Sequence, residues 1–137
     1  MPSIVRPVGI ETILLVEDDD DVREIAGHVL RECGYRVLEA SDGAEGIRRA
    51  ELEAVPIDLL ISDVVLPHSS GRAVAERVTA LRPECRVLFM SGYTDDAVIR
   101  NGVLAAEFAF LQKPFSPSAL AQRVRGVLDG PAPGELS

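Results

Sequence analysis

Tryptophan is absent from the chain, and only two tyrosines and four phenylalanines occur in 137 residues. An interior so poor in aromatics has to be filled mainly by Val, Leu, Ile and Ala. Cysteine is equally scarce. Cys33 and Cys85 stand far apart without metal-ligand spacing, so they read as buried free thiols in a reducing cytoplasm. Basic residues number 14 against 22 acidic ones, a net charge of −8. A surface short of cations argues against non-specific nucleic-acid binding, which depends on basic groups displacing counterions from phosphates. No apolar run approaches a membrane span and the N-terminus has no signal-peptide core, so the expected location is cytoplasmic, with no membrane partner.

What remains is the composition of a folded domain: 47% hydrophobic and 26% charged residues, in a length suited to one domain with its own core. There are no internal repeats. Short runs apolar on both faces alternate with helical stripes. Thr12 to Val16 forms the first strand and the acidic run Glu17 to Asp21 ends it. A helix follows with Val22, Ile25, Ala26, Val29, Leu30 and Cys33 on one stripe, stopped by Gly34. Tyr35 to Ala40 is the second strand, and Ser41-Asp42-Gly43 leads to a weaker helix carrying Ile47, Ala50 and Ala54. Leu59 to Ile61, between Pro56 and Pro67, is the core of a third strand whose downstream end carries Asp63. Gly71 starts a helix through Val74, Val78 and Leu81; Arg86 to Met90 is strand four; and a helix spans Val98 to Leu104. Ala109 to Gln112 is strand five, and Ser116-Pro117 opens a last helix with Leu120, Val124, Val127 and Leu128.

Five strands alternating with five helices imply an α/β three-layer sandwich: a parallel sheet with helices on both faces and the flavodoxin-like strand order 2-1-3-4-5. In such a sheet the downstream strand ends meet at one edge, where ligands bind. They carry Glu17 and Asp18, Asp63, Ser91 and Lys113. Each has an ordinary explanation alone. An Asp can cap a turn, a serine can form one, and a lysine is usually solvated. Asp19, Asp20 and Asp21 suit a helix N-terminus. Together, Glu17, Asp18 and Asp63 form a cluster of like charge that a cation would neutralise, and Mg²⁺ suits such an oxygen-ligand site. A carboxylate can also act as a nucleophile toward phosphorus. Asp63, central in the sheet and least explained by capping, is the candidate acceptor, with Lys113 and Ser91 placed to hold phosphoryl oxygens.

These residues bear a resemblance to a family. Leu15-Val16-Glu17-Asp18, Ser62-Asp63-Val64-Val65-Leu66-Pro67 with Gly71, Met90-Ser91-Gly92-Tyr93 and Phe110-Leu111-Gln112-Lys113-Pro114-Phe115 resemble the receiver domains of two-component response regulators, most of all those attached to hybrid sensor kinases. The resemblance implies a receiver domain over 12–129, between a flexible lead-in (1–11) and a flexible tail (130–137). It implies phosphorylation of Asp63 by a histidine kinase or histidine phosphotransfer protein, with Mg²⁺ held by Asp18, by Glu17 through water, by Asp63 and by the Val65 carbonyl. Ser91 becomes the switch hydroxyl, Lys113 precedes a cis peptide to Pro114, and Phe110 is the switch aromatic, able to respond only by packing. An unknown output partner, or a second copy in a phosphorylation-dependent homodimer, would use the face of the fourth helix, fifth strand and fifth helix, with Val98, Ile99, Gln112 and Leu120. Val65 and Tyr93 are poor at positioning water, which implies at most slow self-dephosphorylation and no enzyme activity. His68-Ser69-Ser70-Gly71 replaces the more usual Met-Asp-Gly loop ending, His68 being read as an exposed loop residue, and the expectation is a receiver without a DNA-binding or enzymatic output domain.

Three rival readings remain open. A Mg²⁺-dependent phosphohydrolase of the haloacid dehalogenase kind would place an acid/base Asp two residues after the nucleophile, where Val65 stands. A flavodoxin-like cofactor binder would need phosphate-binding donors after strand one, where carboxylates stand. A degenerate receiver would serve only as an interaction module.

Overall fold

The structure, a computed structural model, describes residues 9–92 and 109–130. In chain order the elements are β1 (Thr12–Val16), α1 (Asp20–Glu32), β2 (Arg36–Ala40), α2 (Gly43–Leu52), β3 (Leu59–Asp63), β4 (Val65–Leu66), β5 (Ser69–Ser70), α3 (Gly71–Leu81), β6 (Arg86–Ser91), β7 (Ala109–Gln112) and α4 (Pro117–Leu128). β2, β1, β3, β6 and β7 lie in that order in one sheet, paired parallel throughout. This is the expected 2-1-3-4-5 order of an α/β three-layer sandwich. Four helices fall among the described residues; the helix expected over Val98 to Leu104 lies outside them, as do Tyr93, residues 1–8 of the expected lead-in and residues 131–137 of the expected tail.

The uninterrupted apolar runs follow from burial on both faces. Ile13 and Leu15 of β1, with Leu59 and Ile61 of β3, point toward α1 and α4 and meet Leu30, Leu120 and Val124. Their alternates Leu14, Val16 and Leu60 point toward α2 and α3 and meet Ala50, Val74, Val78 and Phe89. Each fully buried Leu or Ile contributes about 1.5–3 kcal/mol, which fixes the strand register, since a one-residue slip would exchange the two faces. Both cysteines are buried and free.

Local signals set most helix ends. The Asp19 carboxylate caps α1, accepting from the Asp21 and Val22 N–H groups. Gly34, at φ +101°, ends that helix in the left-handed region. The Ser116 hydroxyl accepts from the Ala119 N–H at the start of α4, with Pro117 next to the cap as expected.

Four differences from the sequence reading stand out. β4 and β5 form a small antiparallel ribbon after β3 that was not expected, with His68 at φ +60° in its turn. α2 ends at Leu52, so Ala54 lies beyond it. Ile25 is 56% exposed, because the face of α1 packed on the sheet is centred on Ala26, Val29 and Leu30. Leu120 is completely buried in the core and cannot belong to an exposed partner face; Val98 and Ile99 lie outside the described residues, and Gln112 is exposed.

Candidate functional site: an acidic crevice at the strand ends

Where β1, β3, β6 and β7 end, the chain brings Glu17, Asp18, Asp63, Val65, Ser91 and Lys113 around one crevice of about 320 Å³. Parallel pairing explains the convergence. Val16 is level with Ser62, and Asp63 with Met90, so Glu17, Asp63, Ser91 and Lys113 are each the last of a strand or the first beyond it, and Asp18 and Val65 follow two residues past β1 and β3.

Glu17 is wholly buried. Its N–H continues the ladder to the Ala40 carbonyl at 3.1 Å, and its Oε2 accepts from the Asp19 N–H at 3.0 Å. Asp63 is 5% exposed. Its placement relies on Gly71: a Cβ there would lie 2.1 Å from the Asp63 carbonyl oxygen, so no other residue lets α3 begin this close to β3. The Gly71 N–H in turn donates to the Val64 carbonyl at 2.8 Å. Lys113 reaches into the crevice from the end of β7, its Nζ 2.8 Å from Asp63 Oδ1 and 2.9 Å from Glu17 Oε1. The peptide from Lys113 to Pro114 is cis, and the Lys113 N–H donates to the Ser91 carbonyl at 2.9 Å. Ser91 is buried at the end of β6. Phe110 is half-buried, its ring centroid 5.8 Å from that of Phe89.

One carboxylate oxygen from each of Glu17, Asp18 and Asp63 lies within 4.8 Å of the others. So many carboxylates cannot all ionise beside one ammonium. Burial, reinforced by Glu17, pushes the Asp63 carboxyl up to about 8. Burial opposes ionisation of Glu17 as well, but hydrogen bonds from Asp63, the Asp19 N–H and Lys113 hold it below the usual range. Burial and the neighbouring Glu17 raise Asp18. Burial alone would lower Lys113; the two carboxylates outweigh it and raise it. Cation-free, the crevice therefore shares a proton between Asp63 and Glu17. An oxygen-ligand dication fits this donor set, since it would neutralise the crowded charge that the proton now relieves. Asp18, exposed at the mouth, and the two buried carboxylates would hold it.

Sequence reasoning had no access to two further features. An open apolar groove lined by Val22, Ile25, Pro114 and Phe115 adjoins the crevice through Lys113. Arg23 of α1 donates through Nη1 to the Glu17 carbonyl at 2.8 Å. The exposed apolar side chain of Ile25 marks the groove only once the helix is oriented.

Comparison with known proteins agrees with this architecture. Residues 13–125 match the response regulator receiver domain family. The chain is 39% identical over 121 residues to the sensor kinase CckA of Brucella abortus (strain 2308), spanning 88% of this chain but 13% of that protein. With the response regulator receiver protein CpdR of the same organism it shares 31% identity over 116 residues, 85% of this chain and 95% of CpdR. The solved receiver domain of the hybrid histidine kinase CckA superposes with a TM-score of 0.72 at 42% identity, covering 86% of this chain and 99% of that one. No helix among the described residues is long and apolar enough to cross a membrane. With its sheet order, its acidic crevice and these relatives in agreement, the chain belongs to the response regulator receiver domain family of two-component systems.

Proposed function

We propose that Asp63 accepts a phosphoryl group from a phosphohistidine on a kinase or phosphotransfer protein, and that the acyl phosphate switches a partner-binding face. The observation that carries this reading is the placement of Asp63: a nearly buried carboxyl, paired at 2.8 Å with Lys113, in a crevice whose other groups are suited to anionic oxygen. An Asp63 oxygen forms the new bond to phosphorus as the phosphorus–nitrogen bond breaks, and the donor imidazole leaves with the electron pair.

Phosphoryl transfer asks the protein mainly for alignment and charge neutralisation. Bound Mg²⁺ would supply the larger part of that neutralisation, held by Glu17, Asp18, Asp63 and the Val65 carbonyl. Lys113 supplies the rest, moving from its contact with the Asp63 carboxylate to a phosphoryl oxygen. Glu17 remains fixed by the Asp19 N–H. Ser91, at the rim of the same crevice, donates its hydroxyl to another phosphoryl oxygen. Drawing Ser91 inward moves the end of β6, against which Phe110 packs through Phe89. The aromatic ring then repacks, and the surface around Gln112 changes its affinity for an output partner. Val65, 39% exposed at the mouth, offers no group to orient an attacking water, so the acyl phosphate is long-lived.

The donor reaches Asp63 along the apolar groove of Val22, Ile25, Pro114 and Phe115. An amphipathic helix bearing the phosphohistidine would bury Ile25 there and present its ring beside Lys113. Borohydride reduction of the phosphorylated protein, followed by peptide mapping, tests the acceptor. Conversion of position 63 to homoserine is the expected result; modification at another carboxylate would overturn the assignment.

A further inference from the structure

The Glu17 carbonyl sits where β1 leaves the sheet. Its N–H still pairs with Ala40, but its C=O points toward α1, where Arg23 Nη1 donates to it at 2.8 Å. The same guanidinium is held from two other directions. Nη2 donates to Asp20 Oδ1 at 2.6 Å, and Nε lies 3.6 Å from Glu39 Oε1 on β2. Glu39 is in turn gripped by Arg31, whose Nη1 donates to Oε2 at 2.7 Å while its Nη2 donates to the Val37 carbonyl at 3.1 Å.

Room for this arrangement is made by Gly27. A Cβ at that position would stand 2.8 Å from Glu39 Oε2. Glycine inside a helix is unfavourable relative to alanine; here it leaves space beside the ends of the Glu39 and Arg31 side chains. The Arg23 side chain is 18% exposed, more enclosed than a solvated surface arginine.

We propose that Arg23 is a positioning residue for the acidic crevice. By fixing the main chain of Glu17 it sets the separation of the Glu17 and Asp18 carboxylates that a divalent cation requires. The proposal rests on the cation-dependent reading given above. Arg23 acts as an outer partner of the ligand set, and loss of such partners weakens metal binding by about 10–100-fold.

The sign of the effect separates positioning from charge. Removing a cation beside a cation site should tighten Mg²⁺ binding if electrostatics alone decide. If Arg23 holds the ligands in place, removing it should weaken binding. Isothermal titration with Mg²⁺ would be run on wild type, Arg23→Met and Arg36→Met. The last removes the same charge at the opposite end of β2, where Arg36 pairs with Glu53. The expected result is roughly tenfold weaker binding for Arg23→Met and unchanged or slightly tighter binding for Arg36→Met. Arg23→Met binding as tightly as Arg36→Met, or more tightly, overturns the proposal. If Arg23→Met does not fold, Arg23→Lys takes its place: it keeps the charge facing Asp20 and Glu39 but not the forked donor, and binding equal to wild type overturns the proposal. Folded wild type that takes up no Mg²⁺ would instead refute the cation-dependent reading itself, and this inference with it.

Discussion

Replacing the proposed phosphoacceptor should make the cation-free protein more stable. Asp63 is held at about 8, against an ordinary value of 3.8. Between those values the folded state keeps a proton that the unfolded state releases. Stability therefore falls as pH rises through that window, and is fully present only below the unfolded value. Each unit is worth about 1.36 kcal/mol, so by pH 7 the cost reaches on the order of 4 kcal/mol. Asparagine has nearly the shape of the protonated acid and can donate to Glu17 as that acid does, though its contact with Lys113 is weaker. Asp63→Asn should then be stabilised by about 2–4 kcal/mol at neutral pH in EDTA, a melting temperature higher by roughly 6–15 °C. The advantage should shrink steadily as pH is lowered toward 4, and Mg²⁺ should narrow it by stabilising wild type alone. Thermal melts of both proteins across that range provide the assay. An advantage that does not vary with pH, or a variant no more stable than wild type at pH 7, would refute the reasoning.

Three other substitutions probe the frame around the site. Gly71→Ala forces a Cβ against the Asp63 carbonyl and should cost at least about 3 kcal/mol, as overpacking against main chain does; a melt near that of wild type would show that α3 can shift. Arg82 donates to the Ala50, Glu53 and Val55 carbonyls at the end of α2, so Arg82→Met should lose about 2–3 kcal/mol in chemical denaturation, and a loss below about 0.5 kcal/mol would mean that water replaces it. Lys113→Met leaves the buried Glu17 carboxylate without its cation. It should lower stability at pH 7 by on the order of 1–3 kcal/mol, with the deficit closing as acid protonates Glu17; a deficit that persists at low pH would point to lost packing instead.

The sheet order was legible because each strand is apolar on both faces and each crossover carries a helical stripe. Glu17, Asp18, Asp63, Ser91 and Lys113 could be gathered into one site for the same reason, since parallel strands deliver their ends to a common edge. The β4–β5 ribbon escaped because strands of two residues have no measurable period. Its turn also places His68, rather than Gly or Asn, at positive φ. Ile25 obeyed the helical period yet faces outward, because periodicity gives the direction of a stripe but not how far its neighbours extend over it. Leu120 was misplaced for the converse reason: the sequence shows an apolar residue on the last helix without showing which side meets the sheet. Arg23 carries no signal in the sequence, because its bond to the Glu17 carbonyl depends on the bend where β1 leaves the sheet.

The central claim is that Asp63 carries the phosphoryl group in a cation-dependent reaction. Intact mass after incubation with acetyl phosphate, with and without Mg²⁺, tests it most directly when wild type and Asp63→Ala are run together. The account predicts a single phosphoryl adduct on wild type in the presence of Mg²⁺ and none on the variant. An adduct of equal yield on Asp63→Ala, or one indifferent to Mg²⁺, would contradict it.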